Sequence, residues 1–83
     1  PTSAAVKAAP GVLGVAQVLV ADATETVTFY DAAAALEGGE VVLGILPLDT
    51  VGTQLYFRRP ASVGIWAEFS AGSDTGVVAV GYL

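Results

Sequence analysis

The stretch that decides the fold is Thr26-Val27-Thr28-Phe29-Tyr30-Asp31. Val27 and Phe29 are apolar, and they alternate with residues that carry hydroxyl groups. Successive side chains of a β-strand point to opposite faces, so this period of two is typical of a strand with one buried and one exposed face. The stretch therefore predicts a half-buried β-strand that packs one face against a core.

Segments of the same kind recur about every ten residues on both sides of this strand, bounded by Gly, Pro, Asp or Ser, as in an all-β sandwich or barrel. The four alanines Ala32 to Ala35 run into Glu37-Gly38-Gly39 before a helix could nucleate, so we expect a loop there. We predict one all-β domain over residues 1–83, a small β-sandwich or jelly-roll-like fold of about seven antiparallel strands. The expected strands are residues 4–9, 12–20, 26–31, 40–46, 54–59, 63–69 and 77–83, with Pro60-Ala61-Ser62 as a connection of hairpin length between the fifth and sixth.

The composition excludes several classes of function. The chain of 83 residues contains neither His nor Cys, which excludes Ser-His-Asp and Cys-His catalysis, zinc sites of the usual type and disulfides. Its net charge is −5 with three basic residues, too few to neutralise a phosphate backbone. We therefore expect no enzymatic activity, no cofactor and no nucleic-acid binding.

No stretch of the chain has the pattern of a membrane span or a signal peptide. The longest apolar run, residues 11–21, is interrupted by Gln17 and is far shorter than the roughly 20 residues needed to cross a bilayer. The opening Pro1-Thr2 is what remains when an initiator Met precedes a small residue, so we expect a native start. We expect no contact with a membrane.

The carboxylates are the only side chains available for acid–base chemistry. Most fall in predicted turns or at strand ends, where Asp and Glu provide solubility and turn hydrogen bonds. Gly72-Ser73-Asp74-Thr75-Gly76 holds oxygen ligands in a tight turn, but it lacks the Asp-x-Asp-x-Asp-Gly spacing of a dedicated calcium loop. We predict solvated loop carboxylates with no catalytic or metal-binding member: Asp22, Asp31, Glu37, Glu40, Asp49, Glu68 and Asp74.

Apolar side chains are too numerous for a chain of this length to bury alone. They make up 54% of the residues without counting glycine, and charged residues only 13%, where about 25% is typical. Residues 12–20, 41–46 and 77–83 carry apolar side chains at both parities, which predicts outward patches of the kind that mark association surfaces. We predict a homo-oligomer, most simply a trimer, with these candidate partner contacts: Val42, Leu46, Trp66, Val78, Val80 and Tyr82.

Simple alternation also assigns faces within the strands. It places Leu13 and Val18 on opposite faces of the second strand, and Val42 and Leu46 together on one face of the fourth. Trp66 is placed opposite Ile65 and Ala67, either as a packed residue of the sandwich or as an outward interface anchor.

Arg58 and Arg59 form the only basic pair of the chain. Neighbouring strand residues point to opposite faces, so the two could bind one anion together only if the strand is distorted just before Pro60. With eight acidic residues available, we expect salt bridges within or between subunits.

The order of motifs resembles a group of small structural proteins of tailed bacteriophage virions. The resemblance implies a β-sandwich that decorates or cements a capsid, or that is a minor component of the head or tail. It further implies a symmetric oligomer without enzymatic activity, located in the virion and in contact with a major capsid protein or another virion protein. The matching stretches are Lys7-Ala8-Ala9-Pro10-Gly11-Val12-Leu13, Val27-Thr28-Phe29-Tyr30-Asp31, Gly64-Ile65-Trp66-Ala67 and Asp74-Thr75-Gly76-Val77-Val78-Ala79-Val80-Gly81-Tyr82.

An alternative function is adhesion through carbohydrate. Sugar recognition favours several exposed aromatic residues beside polar side chains, as in a minor tail or adhesive β-sandwich that binds a host surface. The residues that could serve are Tyr30, Tyr56, Trp66 and Tyr82.

Overall fold

Seven antiparallel strands form two sheets in the computed structural model, which describes residues 3–70 and 76–83. The predicted all-β class and the number of strands are confirmed. The strands are β1 (Ala4–Lys7), β2 (Gly11–Val20), β3 (Thr26–Tyr30), β4 (Val42–Pro47), β5 (Gln54–Ala61), β6 (Ile65–Phe69) and β7 (Val77–Tyr82).

The two sheets pack face to face around one shared core. The four-stranded sheet has the order β1-β6-β3-β4, and the three-stranded sheet has the order β5-β2-β7. In β3, Val27 and Phe29 are fully buried while the threonines between and before them are half-buried, as the alternation predicted. Burial of a side chain as large as Phe29 contributes about 1.5–3 kcal/mol, so this strand is a main anchor of the sandwich.

β-bulges decide which apolar residues reach the core. In β2 the register shifts between Leu13 and Val15, so Leu13, Ala16 and Val18 all face inward and are buried. The prediction that Leu13 and Val18 lie on opposite faces was therefore wrong. An extra residue in one strand of a pair reverses the alternation beyond it, and the sequence pattern contains no sign of that reversal.

A close approach between the sheets lies at Gly44 of β4. The ring of Phe57, from β5, occupies the space where a side chain at position 44 would lie. The same ring meets Phe29 at a centroid distance of 5.7 Å and an interplanar angle of 57°, a tilted aromatic pair. Gly44 therefore provides room for an aromatic residue that joins the two sheets.

The connection between β5 and β6 is not a hairpin, because the two strands belong to different sheets. Pro60 and Ala61 are part of β5 itself. β5 is an edge strand, and Val12, opposite Pro60, directs its backbone hydrogen bonds to Leu83 instead, so the missing N–H of the proline breaks no pair. The chain then crosses to the four-stranded sheet at residues 62–64.

The segment from Asp31 to the start of β4 is a loop, as predicted, and backbone-to-carboxylate hydrogen bonds hold it. The carboxylate of Asp31 accepts hydrogen bonds from the N–H groups of Ser62, Val63 and Gly64, at 3.0, 2.8 and 3.3 Å. Desolvation raises the pKa of Asp31, but these three hydrogen bonds together outweigh it and the pKa is lowered from its ordinary value of 3.8. Asp31 thereby ties the end of β3 to the crossover between the sheets.

Candidate functional site

The outward side of the four-stranded sheet is the candidate site, and we call it the outer face. Strand register aligns the half-buried Trp66 of β6, the half-buried Tyr30 of β3 and the exposed Val42 of β4 in one row across the sheet. The next row contains Glu68, Thr28 and Ile45. Directly opposed residues of antiparallel strands share a face, so these six side chains form one continuous surface.

Trp66 is held in place by its neighbour on the same strand. Its indole Nε1–H donates a hydrogen bond of 2.7 Å to Oε1 of Glu68. The residues between and before them, Ala67 and Ile65, are buried in the core, so Trp66 faces outward, and its role as an interface anchor stays a prediction. The N–H of the indole already has a hydrogen-bond acceptor on the outer face. Trp66 can therefore contribute the apolar surface of its ring to a contact with a partner protein.

The apolar part of the outer face lies at its β4 margin. Val42 and Ile45 retain 42% and 53% of their accessible surface, although both are β-branched residues of a strand. β4 is an edge of the four-stranded sheet, so its second side carries no hydrogen-bonded neighbour within the described residues. Apolar side chains beside an open strand edge are a typical docking surface and an aggregation hazard in isolation.

Three of the predicted partner contacts do not face outward. Leu46 is fully buried, because the register shift between Phe29 and Tyr30 places it on the inner side while Val42 stays outside. Val78 and Val80 are half-buried and pack against the core from β7. The assumption that these residues are exposed was wrong, and a bulge in the β3–β4 ladder is the physical reason for Leu46.

Tyr82 is exposed but lies outside the outer face. It belongs to β7 of the three-stranded sheet, opposite Leu13. The Nζ of Lys7 lies 5.9 Å from the centroid of its ring, close enough for a cation–π contact. The structure therefore brings together two of the six predicted contacts, Val42 and Trp66.

The carboxylates are less uniform than the sequence suggested. Asp22 is buried, and its Oδ1 accepts hydrogen bonds from the backbone N–H and the hydroxyl of Thr24 at 3.0 and 2.7 Å, so it is not a solvated acid. Glu25, which the sequence reasoning did not single out, is only 2% exposed, and neither carboxylate oxygen has a hydrogen-bond donor within residues 3–70 and 76–83. Asp74 lies outside the described residues.

The described residues contain no cluster of three or more acidic residues that could hold a metal ion. An apolar cleft of about 190 Å³ opens between the sheets beside β1 and β7, lined by Val6, Phe29, Phe69 and Val80 among others. This cleft could not be predicted from the sequence, because it depends on which strands are sheet edges. The side chains that line it are all apolar.

Comparison with protein-family models, with curated proteins and with solved structures finds no significant match. Within the described part of the chain, no helix has the length and apolar character to cross a membrane.

Proposed function

We propose that the protein is a non-enzymatic structural module that docks through its outer face onto an apolar protein surface. The observation that carries this proposal is the exposed pair Val42 and Ile45 in register with Tyr30 and Trp66 on one sheet. Aromatic residues enriched at interface cores lie beside aliphatic ones here, and the only charged side chain of the two rows, Glu68, already accepts a hydrogen bond.

The molecule is large enough for a specific interface. A standard interface buries about 800 Å² per partner, roughly a fifth of the 4427 Å² of this chain. At about 25 cal/mol/Å² such burial supplies roughly 20 kcal/mol before the costs of association and ordering, which offset most of it. Repetition over many symmetric copies multiplies the remainder.

The setting that we propose for this module is the bacteriophage particle. The support is the order of sequence motifs that resembles small virion proteins, together with the apolar outward surface. In this proposal the protein is a homo-oligomer, most simply a trimer, that decorates or cements a shell of major capsid protein or another virion protein. Its net charge of −5 disfavours a position against packaged DNA and favours the outside of the head or the tail.

The test compares Ile45→Asp with Val51→Asp, an equal change at an exposed valine outside the sheet. Purified particles are prepared with each variant, and the bound copies and the survival of particles after heating or osmotic shock are measured. We expect Ile45→Asp to lower both and Val51→Asp to lower neither. The proposal fails if the protein is absent from particles, or if particles without it resist stress unchanged.

Carbohydrate binding is a second candidate, favoured by the juxtaposition of Trp66 and Tyr30 with the polar side chains of Glu68 and Thr28. Sugars stack on aromatic rings and exchange hydrogen bonds with neighbouring polar groups. A glycan array separates the two functions: binding that Trp66→Ala removes and Ile45→Asp preserves favours adhesion over cementing.

A further inference from the structure

The basic pair Arg58 and Arg59 lies on an irregular part of the edge strand β5. Leu13 pairs with Arg59 and Val15 pairs with Tyr56, so Phe57 and Arg58 together face the single residue Gly14. Arg58 has a φ of 51°, in the left-handed region. This irregularity is the distortion just before Pro60 that the strand needs if both arginines are to bind one partner.

The bulge removes the alternation that would separate the two side chains. Phe57 packs against the core and Ala61 is buried, whereas Arg58, Arg59 and Pro60 between them are all exposed. A regular strand would direct one of the two arginines toward the core. Both guanidinium groups are therefore carried by adjacent exposed residues. This is the arrangement that we expect only for a strand distorted just before Pro60.

Arg58 occupies a position where glycine would be the unstrained choice. Glycine adopts a positive φ without a steric cost, whereas the Cβ of any other residue opposes it. A strained residue at an exposed position indicates a role in function more than a role in folding. Because glycine would fit this backbone better, we infer that the guanidinium side chain of Arg58 binds a ligand.

Neither guanidinium group has a partner within residues 3–70 and 76–83: no hydrogen bond or ion pair joins them to that part of the chain. The sequence predicts salt bridges within or between subunits. The described part of one subunit contains no such bridge to either arginine, which leaves a bridge to another subunit. Guanidinium groups bind carboxylates with two parallel hydrogen bonds, which makes a carboxylate-bearing surface the matching partner.

The same chain carries such a surface in the loop Glu37-Gly38-Gly39-Glu40. The carboxylate of Glu40 accepts hydrogen bonds of 2.8 and 2.9 Å from the N–H groups of Glu37 and Gly38, which fixes the loop. Each carboxylate has about four lone-pair positions, so Glu40 can still accept from an arginine, and the carboxylate of the exposed Glu37 makes no hydrogen bond to the described residues.

We propose that Arg58 and Arg59 of one copy bind the carboxylates of the 37–40 loop of a second copy. The proposal rests on the self-association proposed above and names a polar contact for it. Charge complementarity supports a second copy as the occupant, because an acidic chain that exposes its one arginine pair and an ordered acidic loop provides both halves of the contact.

The first experiment compares Arg58→Gly with the wild-type protein by sedimentation velocity and thermal unfolding. We expect a melting temperature equal to or above that of the wild type, because the left-handed residue becomes glycine, and a dissociation constant raised by at least about tenfold. Self-association should also weaken as NaCl rises from about 50 to about 500 mM. Unchanged association of Arg58→Gly, or association indifferent to salt, overturns the proposal.

A charge exchange identifies the occupant. Arg59→Glu leaves the bulge geometry intact and should weaken self-association, and mixing it with Glu37→Arg should restore a mixed assembly. Failure of the mixture overturns the second copy as occupant, and an acidic segment of another protein becomes the alternative. Ile45→Asp separates this contact from the outer face: loss of self-association with Ile45→Asp and not with the arginine variants refutes the arginine contact. Loss of self-association with the arginine variants and not with Ile45→Asp supports the arginine contact, and docking through the outer face is then judged by the particle experiment alone.

Discussion

Gly44→Ala tests the contact between the sheets. A Cβ at this position would overlap Cδ1 and Cε1 of the Phe57 ring, and the ring must move to admit it. That movement disturbs the aromatic pair with Phe29, whose centroid lies 5.7 Å away. Overpacking of a core costs about 1–3 kcal/mol, and the gain from replacing glycine in a strand offsets about 0.5–1 kcal/mol.

The expected net loss is therefore about 1–2 kcal/mol, which lowers the melting temperature of a domain of this size by about 4–8 °C per kcal/mol. Urea unfolding followed by Trp66 fluorescence measures it. In a Phe57→Ala background the same substitution has no ring to displace, so we expect it to be neutral or stabilising. Equal effects in the two backgrounds, or an unchanged stability of Gly44→Ala, would refute the packing argument.

Four further substitutions test other parts of the structure. Leu46→Ala should cost about 2–5 kcal/mol because this side chain is fully buried, whereas Val42→Ala should stay within about 0.5 kcal/mol in the unfolding free energy of the monomer. Asp31→Asn should cost about 1 kcal/mol by weakening the backbone hydrogen bonds to the carboxylate. The lowered pKa of Asp31 means that its contribution is complete above pH 3.8 and is lost as the pH falls below that value, so urea unfolding of the wild type and Asp31→Asn should converge in acid. Arg59→Ala should leave the free energy of unfolding of the monomer, measured in urea, within about 0.5 kcal/mol of the wild type, as for a surface residue without a partner in the described part of the chain.

The positions of the strands could be predicted because two local signals agree along the chain. β3 shows alternation, and Gly or Pro marks the limits of neighbouring strands. Interactions within a few residues are therefore enough to predict where the strands lie. The same holds for the loop after Asp31, where the glycines stop a helix from forming. The bounds of β5 failed because an edge strand tolerates Pro60, and being an edge is a property of the sheet.

The composition of the outer face could be predicted only in part. The prediction that Trp66 lies opposite Ile65 and Ala67 was correct because β6 is regular from Ile65 onward, but alternation alone left open which of the two faces is outward. The position of Tyr30 beside Trp66 could not be predicted, because it depends on strand register, which pairs residues far apart in the chain. Leu46 failed because one bulge reverses every assignment beyond it. The buried Glu25 gave no signal, since a polar residue beside a turn is normally solvated.

The order of the strands has a consequence for how the protein is made. Of the five strand pairs in the described part of the chain, only β3–β4 joins strands that are adjacent in sequence. β1 can pair only after β6 has been synthesised. The central strand β2 can pair only after β5 and β7, which come much later in the sequence, have been synthesised. During translation the ribosome therefore releases apolar strands whose neighbours have not yet been synthesised, and folding driven by distant contacts runs on the millisecond-to-second scale typical of all-β domains. The sandwich can close only after β7 has been synthesised, and a chain cut short before β7 leaves one edge of β2 unpaired.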